Sequence, residues 1–214
     1  MAEQQEGPTG AFLMEQFARI GKALSSPQRL KLVELLAQAE RTVDQLANVT
    51  RMSIANASQH LQVLRRARLV DNRKDGLYVH YSLADHAVYE LWRSMQRLGE
   101  TRLAEVREFL DDEFGDGAEA DAITPETLRE RIRAGDVTLI DVRPTDEYLH
   151  GHLPGAVSMP LDELESRMKE LSTGGEVIAY CRGPFCLLAP NAVRQLRGAG
   201  YAASRLTLSV PEWA

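Results

Sequence analysis

The feature that most constrains this chain is a change of hydrophobic pattern about halfway along it. Before an Asp/Glu/Gly/Ala run at residues 111–121, apolar residues recur at helical spacing; after it, short apolar runs alternate with helical segments. The two patterns require different layer architectures, and 214 residues with 44% apolar content are enough for two cores. The sequence therefore predicts a first domain at 1–112, an acidic linker at 113–121 and a second domain at 122–214.

In the first domain, helical periodicity from Phe12 to about Ala39 breaks at Ser25-Ser26-Pro27. Ser26 there fits an N-cap and Pro27 a first helical position. Thr42-Val43-Asp44-Gln45 has the form of a capping box and predicts a short helix to about Val49. The turn Thr50-Arg51-Met52 leads into a longer helix from about Ser53. Leu69–Asp71 and Leu77–Leu83 read as strands around the turn 72–76, whose Asp75-Gly76 is a hairpin signal. One long amphipathic helix is expected from His86 to about Leu110. This order predicts a winged helix-turn-helix, mostly α with a β-hairpin wing.

The helix from Ser53 puts Ile54, Ala57, Leu61 and Leu64 on one face. The other carries Asn56, Gln59, Gln62 and Arg66, flanked by Ser58 and His60. Amide and hydroxyl groups suit the donor and acceptor patterns of base edges, although a solvated surface helix has the same pattern. The formal charge of −6 argues against a uniformly basic coat. Between Arg51 and Lys74, however, six basic residues (Arg51, Arg65, Arg66, Arg68, Arg73 and Lys74) face one acid, Asp71. Such a stripe neutralises phosphates and orients the helix on a duplex. The expected DNA contacts are Ser53, Asn56, Ser58, Gln59, His60, Arg66, Arg73 and Lys74.

The stretch Ser58-Gln59-His60-Leu61-Gln62-Val63-Leu64-Arg65-Arg66-Ala67-Arg68-Leu69-Val70 resembles the recognition helix of ArsR-type repressors. Arg73-Lys74-Asp75-Gly76-Leu77-Tyr78-Val79-His80-Tyr81 is similar to their wing, and the resemblance covers roughly residues 11–110. It implies a homodimer on an inverted-repeat operator in double-stranded DNA, paired through helices at Phe12–Leu24 and His86–Leu110. Leu13, Phe17, Trp92, Met95 and Leu98 are then either interface or ordinary core residues. The chain departs from the family in its sensing sites. Thr42–Leu46 has no thiolate where a metal motif would stand, and Asp85, His86 and Glu90 only partly match a second metal site. We expect no metal and no cofactor, so sensing must reside elsewhere.

In the second domain, a helix at Pro125–Ala134 precedes a strand at Val137–Val142. A helical turn, a strand near Val157 and a helix at Leu161–Leu171 follow. A strand at Glu176–Tyr180, a helix to about Ala199 and a strand near Ser204 complete an α/β domain with a largely parallel sheet. The only cysteines, Cys181 and Cys186, lie in the loop between the Glu176–Tyr180 strand and the following helix. Two cysteines exclude a disulfide scaffold and a Cys-rich zinc site. A loop of backbone N–H groups, a helix N-terminus and Arg182 would favour the Cys181 thiolate; the plain alternative is a buried structural thiol. Met1–Gln5 lacks the features of a secretory signal and no apolar run reaches membrane-spanning length, so the expected location is cytoplasmic, with no membrane partner.

Three blocks of this domain resemble rhodaneses, the sulfurtransferases: Leu139-Ile140-Asp141-Val142-Arg143, Tyr148–Pro160, and the Cys181 loop. The resemblance covers about residues 122–214. It implies that Cys181 carries sulfane sulfur in a cradle of Gly183, Phe185, Cys186 and Leu187. Arg182, Asp141 and Arg143 would support the reaction, and His152 and Glu147 would be structural. Phosphatases and arsenate reductases on this fold need an Arg six residues after the Cys, and position 187 is Leu. Pro184 removes one amide from the cradle. A Gly-rich turn usual before the final Pro-Glu-Trp reads Thr207-Leu208-Ser209-Val210. The reading is a DNA-binding regulator that senses or transfers sulfane sulfur from a donor such as thiosulfate or a persulfide. The alternatives are a sulfurtransferase that uses its winged helix for dimerisation, and a repressor with an idle rhodanese module. Cys186 is either a resolving thiol or a small packing residue.

Overall fold

The computed structural model describes residues 8–114, 124–172 and 174–213. Chain contacts divide it into two compact units, Met1–Met95 and Gln96–Ala214. Composition places the first boundary later, at 112. The division falls earlier because Val88 and Tyr89 are the last residues of the first half to enter a core. Residues 115–121 of the expected linker lie outside the described residues. No described helix is long and apolar enough to cross a membrane.

The first unit runs α1 (Pro8–Leu24), α2 (Pro27–Leu36), β1 (Arg41–Thr42), α3 (Val43–Thr50), α4 (Ile54–Arg66), β2 (Val70–Asp75), β3 (Tyr78–Leu83) and the start of α5 (His86–Arg102). Ser26 occupies the N-cap of α2, but its hydroxyl bonds Gln28 and caps nothing. Thr42 does cap α3: its oxygen accepts the Gln45 N–H at 3.2 Å, and the Gln45 side chain accepts the Thr42 N–H at 2.8 Å. Arg51, in the left-handed region at φ 55°, turns the chain into α4. Leu32, Leu35, Leu46, Leu61, Leu64 and Val70 form the centre of the core. Ile54, expected on that face, is 55% exposed because it opens the first turn of α4, where the helix has not yet reached the core. The three-stranded antiparallel sheet has the order β1-β3-β2. Its wing is longer than expected: β2 continues to Asp75, and Gly76 at φ +58° supplies the tight turn.

The single helix expected to about Leu110 is broken at Leu103 into α5 and α6 (Ala104–Phe114). The Thr101 hydroxyl bonds back to the Arg97 and Leu98 carbonyls, a contact that bends helices. Glu113 and Phe114, assigned to the linker, close α6. After α7 (Pro125–Ala134), the α/β layers follow as β4 (Val137–Asp141), α8 (Thr145–His150), β5 (Val157–Ser158), α9 (Leu164–Arg167), β6 (Glu176–Tyr180), α10 (Leu188–Gly198), β7 (Ala203–Leu206) and α11 (Val210–Trp213). The helix expected at Leu161–Leu171 is only α9 and a 3₁₀ turn at Met168–Glu170. The four strands pair in parallel in the order β5-β4-β6-β7.

Both faces of this sheet are covered, as parallel sheets require. Val177 and Ala179 of β6 pack with Ala192, Val193 and Leu196 of α10, while Ile178 and Tyr180 pack on the other face with Leu128 of α7. The carboxyl end of β6 therefore delivers Cys181 to the rim of the sheet, at the start of α10.

Candidate functional site

Three buried polar residues brace that rim. The Arg143 guanidinium is wholly buried and forks onto Asp141, with Nη2 at 2.6 Å from Oδ2 and Nε at 3.0 Å from Oδ1. Arg143 also donates to the Gly151 carbonyl at 2.7 Å, and the Tyr180 hydroxyl donates to Asp141 at 2.5 Å. Tyr180 oxygen in turn accepts the Leu153 N–H. Burial opposes the Arg143 charge, but the Asp141 carboxylate outweighs it and raises the pKa. Burial and the Asp141 charge push Tyr180 well above its ordinary value, so it remains a donor. Asp141 and Arg143 thus fix the ends of β4 and β6 and the loop at 151–153. Both are fully engaged in this buried network beside the cysteine loop. Tyr180 was not foreseen, although a tyrosine directly before the cysteine was visible.

Arg182 is placed differently from expectation. Its guanidinium forks onto the buried Glu147, at 2.7 Å and 3.0 Å, and so is held by α8. Its charge acts on Cys186. Cys181 is 2% exposed and Cys186 9% exposed. The Cys181 sulfur receives the Gly183 and Ala189 N–H groups, and its thiol also lies 3.4 Å from the Cys186 carbonyl oxygen. The Cys186 sulfur receives the Arg182 and Leu188 N–H groups. The two side chains are hydrogen-bonded to each other.

This geometry sorts the two thiols. Burial pushes Cys181 well above the ordinary cysteine value, and the neighbouring Cys186 adds to the rise. The Cys181 hydrogen bond, with the Arg182 charge and two amides, lowers Cys186 to about 6. The direction of these shifts favours negative charge on Cys186, where the expectation had placed it on Cys181. Of the proposed cradle, the Gly183 N–H reaches Cys181, whereas Leu187 is 39% exposed. Leu188 and Ala189, at the open N-terminus of α10, take its place. The unsatisfied donors of any helix start could have indicated them.

Beside the loop lies a cleft of about 580 Å³, lined among others by Pro144, Thr145, Glu163, Arg182, Leu188 and Gln195. Arg182 and Leu188 give it access to the neighbourhood of both sulfurs.

In the first unit, α4 exposes Asn56, Gln59, Gln62 and Arg66, with Ser58 and His60 half-buried. The Ser53 oxygen accepts the Asn56 N–H as the N-cap of α4, leaving only its proton to donate elsewhere. On the wing, Arg73 is held bidentate by Glu40 and also meets Asp75, whereas Lys74 stands exposed. Arg73 is therefore a partly neutralised cation. Glu40 lies 33 residues upstream of it, beyond any local pattern.

Residues 26–72 match the bacterial regulatory proteins of the arsR family, and residues 124–214 match the rhodanese-like domain. Over 203 residues the chain is 42% identical to the HTH-type transcriptional regulator Rv0324 of Mycobacterium tuberculosis, covering 95% of this chain and 89% of that protein. Over 81 residues it is 41% identical to a transcriptional repressor SmtB homolog of Synechocystis, covering 38% of this chain and 61% of the relative. A homodimeric winged helix-turn-helix DNA-binding domain from Mycobacterium bovis, solved by NMR, is 38% identical; it covers 48% of this chain and 94% of that one, with a TM-score of 0.43. On the match that spans nearly its whole length, the chain belongs to the ArsR family of DNA-binding HTH-type transcriptional regulators, in a form with a C-terminal rhodanese-like domain.

Proposed function

We propose that this regulator binds an inverted-repeat operator as a homodimer and takes sulfane sulfur onto Cys181 from a donor such as thiosulfate or a persulfide. The observation that carries the sulfur reading is the position of Cys181: it ends β6 at the mouth of α10, with amides on its sulfur and an acidic thiol beside it. Cys186 can accept the Cys181 proton along their hydrogen bond, giving the Cys181 thiolate when a donor arrives. The amides of Gly183 and Ala189 then suit the added anionic sulfur. Support for pairing comes from Phe12, Leu13 and Phe17 on α1 and Leu98 on α5, each at least 45% exposed, too many large apolar residues for a solvated surface. The M. bovis relative is itself homodimeric.

Intact mass after incubation with thiosulfate or a polysulfide tests the sulfur reading. We expect one added sulfur, mapped to Cys181 in chains trapped before further reaction and absent from Cys181→Ser. A sulfur mapped first to Cys186, or none, overturns the assignment.

A further inference from the structure

The contact between the two loop sulfurs extends this reading. We propose that Cys186 is a second reacting thiol, which attacks the Cys181 persulfide and closes a Cys181–Cys186 disulfide. This step rests on the reading that Cys181 is the sulfur carrier.

Three features point to it. The sulfurs are already hydrogen-bonded to each other inside one enclosed loop, so bond formation needs little movement of either side chain. Among the described residues these are the only cysteines, and both are free and buried, so an external thiol meets a more hindered path than the internal one. Finally, Cys186 is surrounded as a nucleophile would be. A packing residue at its position needs only apolar neighbours. Instead its sulfur receives the Arg182 and Leu188 N–H groups, and the Arg182 guanidinium, fixed by the buried Glu147, lies close enough to hold its negative charge.

The chemistry balances without an added oxidant. The Cys181 thiolate attacks the sulfane sulfur of the donor, and the donor's remaining group leaves with the bonding pair as sulfite from thiosulfate or a thiolate from a persulfide. Cys186, which took up the Cys181 proton in the first step, then attacks Cys181 Sγ as that proton passes to the departing sulfur. The Cys181 Sγ–sulfane bond breaks, and the sulfane sulfur leaves with its electron pair and the proton as hydrosulfide. The two protein thiols are oxidised to a disulfide, and the sulfane sulfur is reduced to sulfide. Gly183, at φ +132°, holds the loop between the two cysteines in a backbone region that other residues rarely adopt.

The test uses the full chain under anaerobic conditions with thiosulfate as the only donor, following mass and released sulfide. The expected wild-type product is lighter than the reduced chain by two hydrogens, yields a Cys181–Cys186 linked peptide and releases sulfide equimolar with the disulfide; a reductant restores it. Cys186→Ala and Cys186→Ser are expected to load Cys181 more slowly, for want of the Cys186 base, then to stay one sulfur heavier on Cys181 and to release no sulfide. The wild-type peptide map needs no variant to fold. A wild type that keeps its added sulfur without sulfide release overturns the resolving step and leaves the Cys181 assignment standing. Sulfide release undiminished in both Cys186 variants also overturns it. A wild type that neither takes up sulfur nor releases sulfide overturns the carrier assignment, and this step with it.

Discussion

Cys181 and Cys186 hold one proton between two sulfurs, so their titration belongs to the pair. Iodoacetamide reacts with the thiolate, and a free cysteine reaches half its maximal rate at about pH 8.5. Because the Cys186 pKa is lowered, its thiolate persists down to about pH 6 and is lost as the pH falls through that value. The alkylation rate of Cys186 is therefore expected to reach half its maximum near pH 6. Arg182→Met removes the cation and should move the midpoint upward. It also strands the buried Glu147 carboxylate, at a cost of about 3–5 kcal/mol in stability measured by urea unfolding. A midpoint unchanged in Arg182→Met would remove the guanidinium as a cause. Both thiols were visible in the sequence in one strand–loop–helix, with Cys181 read as the reactive one and Cys186 left open between a resolving thiol and a packing residue. Which of them carries the charge was not, because the guanidinium is placed by Glu147, 35 residues upstream.

At the scale of elements, the proposed DNA contacts lie on α4 and the wing. Gln59 is fully presented on the face opposite Leu61, and His60 partly so on its flank. Replacing both by Ala should weaken operator binding by about 1–3 kcal/mol for each lost base contact, with much less effect on non-specific DNA. Fluorescence anisotropy at fixed salt checks this, and equal losses on both DNAs would place the two residues on the phosphates. Elements with strong punctuation were legible to the residue: α7 between its Thr124 cap and Gly135, and α3 from its capping box. β1 was not, since two residues have no period and the strand exists only by pairing with β3. The break at Leu103 was hidden because the apolar spacing runs through it.

At the scale of the whole molecule, two cores are built on one chain, and the reactive thiols belong to the unit that does not carry α4. If the proposed loading of Cys181 is the regulatory input, it must change the free energy of DNA binding, by an amount equal to the difference in sulfur affinity between free and bound forms. Operator affinity is expected to differ by about 5–150-fold between reduced chains and chains loaded on Cys181. Identical affinities for reduced, persulfidated and disulfide forms would leave the rhodanese-like unit with no regulatory output. The division into two folds was legible from the change in periodicity. The contact boundary at Met95 was not, because α5 remains amphipathic beyond the last residue it buries.

The parallel sheet has a consequence in time. Its central pair joins β4 to β6 across α8, β5, α9 and a 3₁₀ turn, and Tyr180 must reach Asp141 over 39 residues before the cysteine loop has a floor. The β2–β3 hairpin of the first unit closes across two residues, and its helices pack on near neighbours. Non-local pairing slows folding, and the N-terminal half leaves the ribosome first. A newly made chain should therefore acquire its DNA-reading fold before its sulfur chemistry. The two tryptophans allow this to be timed, since Trp92 packs on the first core and Trp213 on the second. In stopped-flow refolding, Trp213→Phe should retain the faster fluorescence phase and Trp92→Phe the slower one, so that each new molecule passes through an interval in which it can occupy an operator but cannot yet respond to sulfur.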